Sequence, residues 1–148
     1  MSDAPSAGVI RGTAHYLPVR VYYEDTDFTG VVYHAGYLRF FERGRTDFLR
    51  LAGVHHAELW ARDEPLAFTV RSLMIDYLIP ARVDDALTVE TRFATMKGAA
   101  IEINQLLTRA HETLAQAVVK AVIVNGQGRP RRPPEDLRAA LARYMPAP

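Results

Sequence analysis

Between positions 37 and 52 apolar residues return every three or four places. Tyr37, Phe40, Phe41, Gly44, Phe48, Leu51 and Ala52 fall on one face of a helix, and Arg39, Glu42, Arg43, Arg45 and Asp47 on the others. Gly53 stands where such a helix ends. Upstream, Val19-Arg20-Val21-Tyr22-Tyr23 has the β-branched and aromatic content of a strand, and residues 24–30 are a polar break. Residues 1–14 are small and polar and read as a flexible tail, which leaves 15–148 as one domain. Residues 55–62 predict a short helical turn. Past Pro65 the period changes. Runs at 68–77, 87–96, 101–108 and 115–124 predict four strands, separated by Asp84-Asp85, Lys97-Gly98 and His111-Glu112. Connections this short fit hairpins and leave no room for crossover helices. Residues 125–134, rich in Gly and Pro, predict a loop. Residues 135–144 predict a terminal helix with Leu137, Leu141 and Tyr144 on one side. A strand, a long aromatic helix and a run of strands predict an α+β fold, its helix laid on one face of a curved antiparallel sheet.

Composition narrows the class without naming it. A chain of 148 residues buries roughly two-thirds of its unfolded surface, enough for one core. Eighteen basic against seventeen acidic residues give a net charge of +1, which calls for neither nucleic acid nor an anionic membrane. The absence of cysteine excludes disulfides, thiolate metal sites and cysteine nucleophiles. No apolar run reaches the ~20 residues of a membrane span, and residues 1–8 lack the apolar stretch of a secretory signal. The expected location is the cytoplasm.

The chemistry concentrates in Tyr23-Glu24-Asp25-Thr26-Asp27-Phe28-Thr29-Gly30-Val31-Val32-Tyr33-His34. Three carboxylates crowd four positions after a strand, and carboxylates sharing one site raise one another's pKa. The long helix is expected to begin near Tyr33 or His34, and its first N–H groups have no partner within the helix. A carboxylate beside unpaired N–H donors suits attack on an acyl carbonyl. Local capping uses the same residue types and stays open on these residues alone.

The segment from 19 to 50, VRVYYEDTDFTGVVYHAGYLRFFERGRTDFLR, resembles the opening of the hotdog-fold acyl-CoA thioesterases, the family of 4-hydroxybenzoyl-CoA thioesterase and the YbgC thioesterases. The resemblance continues through Tyr77-Leu78-Ile79-Pro80-Ala81-Arg82, Met96-Lys97-Gly98 and residues 128–134, most of the chain. It implies a helix wrapped by an antiparallel sheet, homodimers or homotetramers, and an acyl-thioester site at the dimer interface without cofactor or metal. It makes Asp27 the catalytic carboxylate, as nucleophile through a mixed anhydride or as general base on water. It makes the His34 backbone N–H the donor that polarises the thioester carbonyl; a side chain that orients water or Asp27, and one simply satisfied by a neighbour, are the other readings of His34. Tyr33 is expected at the substrate, with plain packing as its other reading. Lys97 with Gly98 is the local candidate for the anionic part of CoA, with an ordinary exposed hairpin as its other reading. Asp25 is read as a turn carboxylate. His55-His56 do not face one site and carry no metal, and Arg129, Arg131 and Arg132 are read as solvated.

Two rivals have other signatures. A hotdog domain that binds acyl-CoA or acyl carrier protein as a scaffold would lack turnover. A Mg²⁺-dependent phosphatase would use Asp25-Thr26-Asp27-Phe28-Thr29 as a D-x-D-x-T motif, but on a doubly wound parallel sheet.

Overall fold

The structure is a computed structural model and describes residues 3–147. One long helix, α1 (Gly36–Leu51), lies on a six-stranded sheet. The strands are β1 (Val9–Arg11), β2 (Ala14–Arg20), β3 (Leu66–Tyr77), β4 (Ala86–Lys97), β5 (Ala100–Arg109) and β6 (Glu112–Asn125). Two short helices, α2 (His56–Trp60) and α3 (Glu135–Ala142), complete the fold. The sheet order is β1-β2-β4-β5-β6-β3, and every pairing is antiparallel. This is the α+β hotdog arrangement. A D-x-D-x-T phosphatase needs a parallel sheet, which is not what this chain builds.

Strand alternation is regular where the sheet meets α1. In β6, Ala115, Ala117, Val119, Ala121 and Ile123 are buried, while Gln116 and Lys120 face out. Phe40, Phe41 and Phe48 of α1 are fully buried, with the Phe48 ring 4.6 Å from Phe93. Register shifts at Val70/Ser72 and Phe93/Thr95 mark bulges, which bend a sheet and increase its twist. Beneath the helix a polar patch is fully paired. Gln105 donates to the Phe41 carbonyl (2.8 Å) and to Thr91 Oγ1 (2.9 Å), and accepts from Arg45 (2.9 Å).

The structure corrects four expectations. The flexible tail is shorter than 1–14, because Val9–Arg11 pairs with Ala14–Tyr16 and Ala14 is fully buried. A three-residue strand held by backbone bonds has too few side chains to show a period. The strand expected at 19–23 lies earlier, at Ala14–Arg20, and Tyr23–Asp25 is a 3-10 turn. α1 buries Leu49 instead of Leu51, which is 42% exposed in the last turn. Finally, β3 and β4 do not form a hairpin. β4 is flanked by β2 and β5, so β3 goes to the far edge beside β6. Residues 78–85 cross the sheet end, about 14 Å at about 4.8 Å per strand, and start by donating from Leu78 and Ile79 to the Leu114 carbonyl (2.8 and 3.0 Å). No helix among the described residues is long and apolar enough to cross a membrane.

Candidate active site

Residues 26–32 fold into a small hairpin. Thr26 bridges Val32, the Asp27 N–H donates to the Val31 carbonyl (2.9 Å), and Gly30 N–H closes the tip on the Asp27 carbonyl (3.3 Å). Two backbone bonds hold the hairpin against the crossing loop, Val32 N–H to Ala81 O (2.8 Å) and Val83 N–H to Gly30 O (3.0 Å), and together they make the antiparallel bridge Val31–Arg82. That loop is itself braced, since Asp85 accepts from the Arg82 N–H (2.9 Å) and from the Arg109 guanidinium (2.8 Å). Asp27 thus sits on a loop whose backbone is tied on both sides.

Asp27 is partly exposed. The hydroxyl and then the N–H of Thr29 hold its carboxyl below the usual carboxylate range. The expected mutual raising among the three acidic residues does not occur at Asp27. They do not share a site: the Asp25 carboxylate takes the Tyr22 N–H (2.8 Å) and caps the 3-10 turn. Asp25 is the turn carboxylate that its place in the sequence suggests.

The helix begins at Gly36, two or three residues later than the expected start near Tyr33 or His34. Tyr33 N–H donates to Asp25 O (3.0 Å), residues 34–35 form a turn, and Gly36 N–H donates to Tyr33 O (2.7 Å). His34 is therefore in the turn leading into α1, not on its first helical position. Its backbone N–H makes no hydrogen bond to another described residue. Tyr33 and His34 are both exposed, with their rings 4.4 Å apart.

Sequence reasoning missed Tyr77 as a site residue. From the end of β3 its hydroxyl donates to the His34 carbonyl (2.7 Å), which ties the turn to the sheet edge. Its ring meets Tyr37 edge-on at 5.0 Å, and the Tyr37 hydroxyl accepts from Ala81 N–H (3.0 Å). Burial, then the neighbouring Tyr37, pushes the Tyr77 hydroxyl up from its ordinary range. An aromatic at a strand end before a Pro-containing loop is the available signal, and it is a weak one.

Lys97 and Gly98 are not brought to Asp27 within one chain. They form the β4–β5 turn at the other end of the sheet, and β4 has a contour of about 36 Å at about 3.3 Å per residue. Near that end, a cavity of about 100 Å³ opens between α1 and β3. Leu49, Phe68, Phe93 and Ile103 line it, and its rim carries Arg45 and His56. Burial lowers the Arg45 pKa, though Glu42 pulls the other way. Thr46 joins Glu42 (2.6 Å) to His56 (3.1 Å) along the rim.

Comparison with known proteins agrees with this architecture. The profile of the thioesterase-like superfamily matches residues 21–141. The acyl-CoA thioesterase YbgC of Haemophilus influenzae is 48% identical over 126 residues, 84% of this chain and 92% of its own. The acyl-CoA thioester hydrolase YbgC of Escherichia coli O157:H7 is 43% identical over 82% of this chain and 91% of its own. Among solved structures, a probable thioesterase from Bartonella henselae superposes with a TM-score of 0.80 at 42% identity, covering 82% of this chain and 99% of that one. This chain belongs to the thioesterase-like superfamily, in its YbgC group of thioester hydrolases.

Proposed function

We propose that this protein hydrolyses acyl-CoA to the free acid and CoA, with Asp27 as the reacting carboxylate. The observation that carries the reading is an ionised, loop-braced Asp27 a few residues from the unpaired His34 N–H, in a chain so similar to YbgC thioesterases. The His34 N–H is the donor to the thioester oxygen as it gains charge, the role that rewards a donor aimed at a developing oxyanion. Two routes fit. As general base, Asp27 takes a proton from water, the hydroxide adds to the carbonyl carbon, and the sulfur leaves as CoA thiolate. As nucleophile, an Asp27 oxygen adds instead, expels the thiolate and forms a mixed anhydride that water then opens. A single turnover in H₂¹⁸O tests the second route: label in the Asp27 carboxyl requires the anhydride, opened by water at the Asp27 carbonyl carbon.

The working unit in this reading is a homodimer joined along β3. β3 is a twelve-residue edge strand with Val70, Met74 and Tyr77 exposed, and a long uncovered edge invites pairing. Paired antiparallel about a two-fold axis, the start of one β3 lies by the end of the other. The Lys97-Gly98 end of one protomer then approaches its partner's Tyr77 and catalytic turn. This arrangement gives Lys97 and Gly98 the CoA phosphates and Tyr33 the pantetheine arm. The α1–β3 cavity takes the acyl group. At about 100 Å³ it is smaller than the roughly 150 Å³ that admits benzene, so short acyl groups fit best.

Thiol release from a series of acyl-CoA esters, run without metal on the wild type and Asp27→Asn, tests the reading. The expected result is turnover on short esters and a loss of at least ~100-fold in kcat in the variant, the scale of a positioned acid–base group. Near-normal turnover by Asp27→Asn sinks the assignment. Tight acyl-CoA binding without turnover by the wild type returns the scaffold reading, and acyl carrier protein esters then replace CoA esters in the assay.

A further inference from the structure

The hairpin tip holds one more residue aimed at the chemistry. Thr29 gives Asp27 two hydrogen bonds on the same oxygen, Oδ1: one from its N–H at 2.7 Å and one from its hydroxyl at 2.6 Å. The N–H bond alone is an Asx-turn, a common local device. The hydroxyl bond is additional and unnecessary for the turn, whose backbone is already closed by Gly30 N–H and Asp27 N–H. With Oδ1 held from two directions, the carboxyl plane is fixed and Oδ2 stays outside the clasp. Between the two clasping residues, Phe28 is 99% exposed, so the tip has no packed side chain of its own to hold it in shape. The clasp is the main constraint on the carboxylate, with the Val31 N–H contributing less.

We propose that Thr29 is a positioning residue for the hydrolysis, whose hydroxyl fixes the Asp27 carboxylate so that Oδ2 is the oxygen that reacts. The inference rests on the reading of Asp27 as the reacting group. A hydrogen bond to an ionised acceptor is stronger than one between neutral partners. The clasp therefore orients the carboxylate and also keeps it ionised at lower pH. The sign follows: Asp27 must be ionised to act, so activity persists to lower pH while the Thr29 hydroxyl is present. Removing the hydroxyl moves the acid limb upward.

The test compares Thr29→Val, which keeps shape and N–H but loses the hydroxyl, with Thr29→Ser, which restores it. Butyryl-CoA is the probe, and Asp27→Asn runs in parallel. Thr29→Val is expected to lower kcat about tenfold, the effect of one charge-assisted bond at the low end, with KM within about twofold if binding is separate. The acid limb of kcat/KM moves up, and Thr29→Ser returns both to the wild-type position. Carbon-13 NMR titration of the Asp27 carboxyl reads the same shift with no substrate present. A wild-type titration midpoint and pH profile in Thr29→Val overturn the clasp, as does failure of Thr29→Ser to rescue. If Asp27→Asn collapses while Thr29→Val is normal, only the clasp falls. If Asp27→Asn is normal, both readings fall.

Discussion

The two edges of the sheet are built in opposite ways. On the β1 side the edge is three residues long, and the chain before it is drawn over the sheet: the Ala7 carbonyl meets the buried His15 Nε2 at 2.6 Å. On the β3 side the edge is twelve residues long, bulged at Val70/Ser72, and exposed at Val70, Arg71, Ser72, Met74, Asp76 and Tyr77. Proteins normally shorten, charge or cover an edge to prevent unwanted pairing. Here one edge is shortened and covered, and the other is left long and open, with Val70, Met74 and Tyr77 exposed among polar neighbours. It is also the edge that anchors the turn at His34, through Tyr77. In the proposed reading, the difference separates a margin that serves stability from one that serves assembly and chemistry.

Changes at the β3 edge are expected to cost most. Met74→Asp places like charges near a two-fold pairing, and burying them costs several kcal/mol. Sedimentation velocity is expected to show monomers with little loss of helix by circular dichroism, and thioesterase activity falls with the dimer. A dimer that persists in Met74→Asp breaks the contrast between the edges. Tyr77→Phe is milder. It removes the hydroxyl bond to the His34 carbonyl and keeps the ring on Tyr37. Loss of about one hydrogen bond's worth of positioning, roughly 1 kcal/mol, lowers kcat several-fold, and an unchanged thermal midpoint would assign the bond to the turn and not to the fold.

The smallest effect on turnover, none, is expected at the β1 edge. His15 stacks on Phe48 at 5.3 Å, and its Nδ1 is buried without a partner. Burial lowers its pKa from the ordinary 6.5, while the Ala7 carbonyl and Asp47 pull it back up. The unfolded chain thus takes up a proton at a higher pH than the folded one. The stability from neutral His15 is complete above about pH 6.5 and declines as pH falls below it. His15→Phe keeps the stack and removes the titration. Its thermal midpoint should vary less between pH 7 and 5 than that of the wild type, with butyryl-CoA turnover unchanged at pH 7.

What the sequence made legible follows the reach of each interaction. α1 was readable because a sixteen-residue amphipathic helix repeats its apolar face four times over. β4, β5 and β6 were readable from alternation and short turns. The destination of β3 was not, because strand order depends on which partners the neighbours have already taken. β1 was invisible because its bonds are all backbone. In the site, Asp27 and His34 stand in one contiguous motif, whereas Tyr77 reaches His34 across 43 positions. The Thr29 clasp is local, yet no pattern of residue types tells a hydroxyl that turns to a carboxylate from one that faces water.

Gly44 has a consequence beyond packing. A Cβ there would lie 2.6 Å from Val89 Cγ1, 3.0 Å from Thr91 Oγ1 and 3.2 Å from Gln105 Nε2, so helix and sheet meet with no clearance at that point. From Gly44 to the start of α1 is about 12 Å at about 1.5 Å per residue. If the contact acts as a fulcrum, a tilt of about five degrees swings the helix start by about 1 Å, a misplacement that costs a reaction about a hundredfold. The bare backbone at position 44 is thus what lets the helix seat on Val89, Thr91 and Gln105, and a methyl added there is expected to be felt at the far end of the helix.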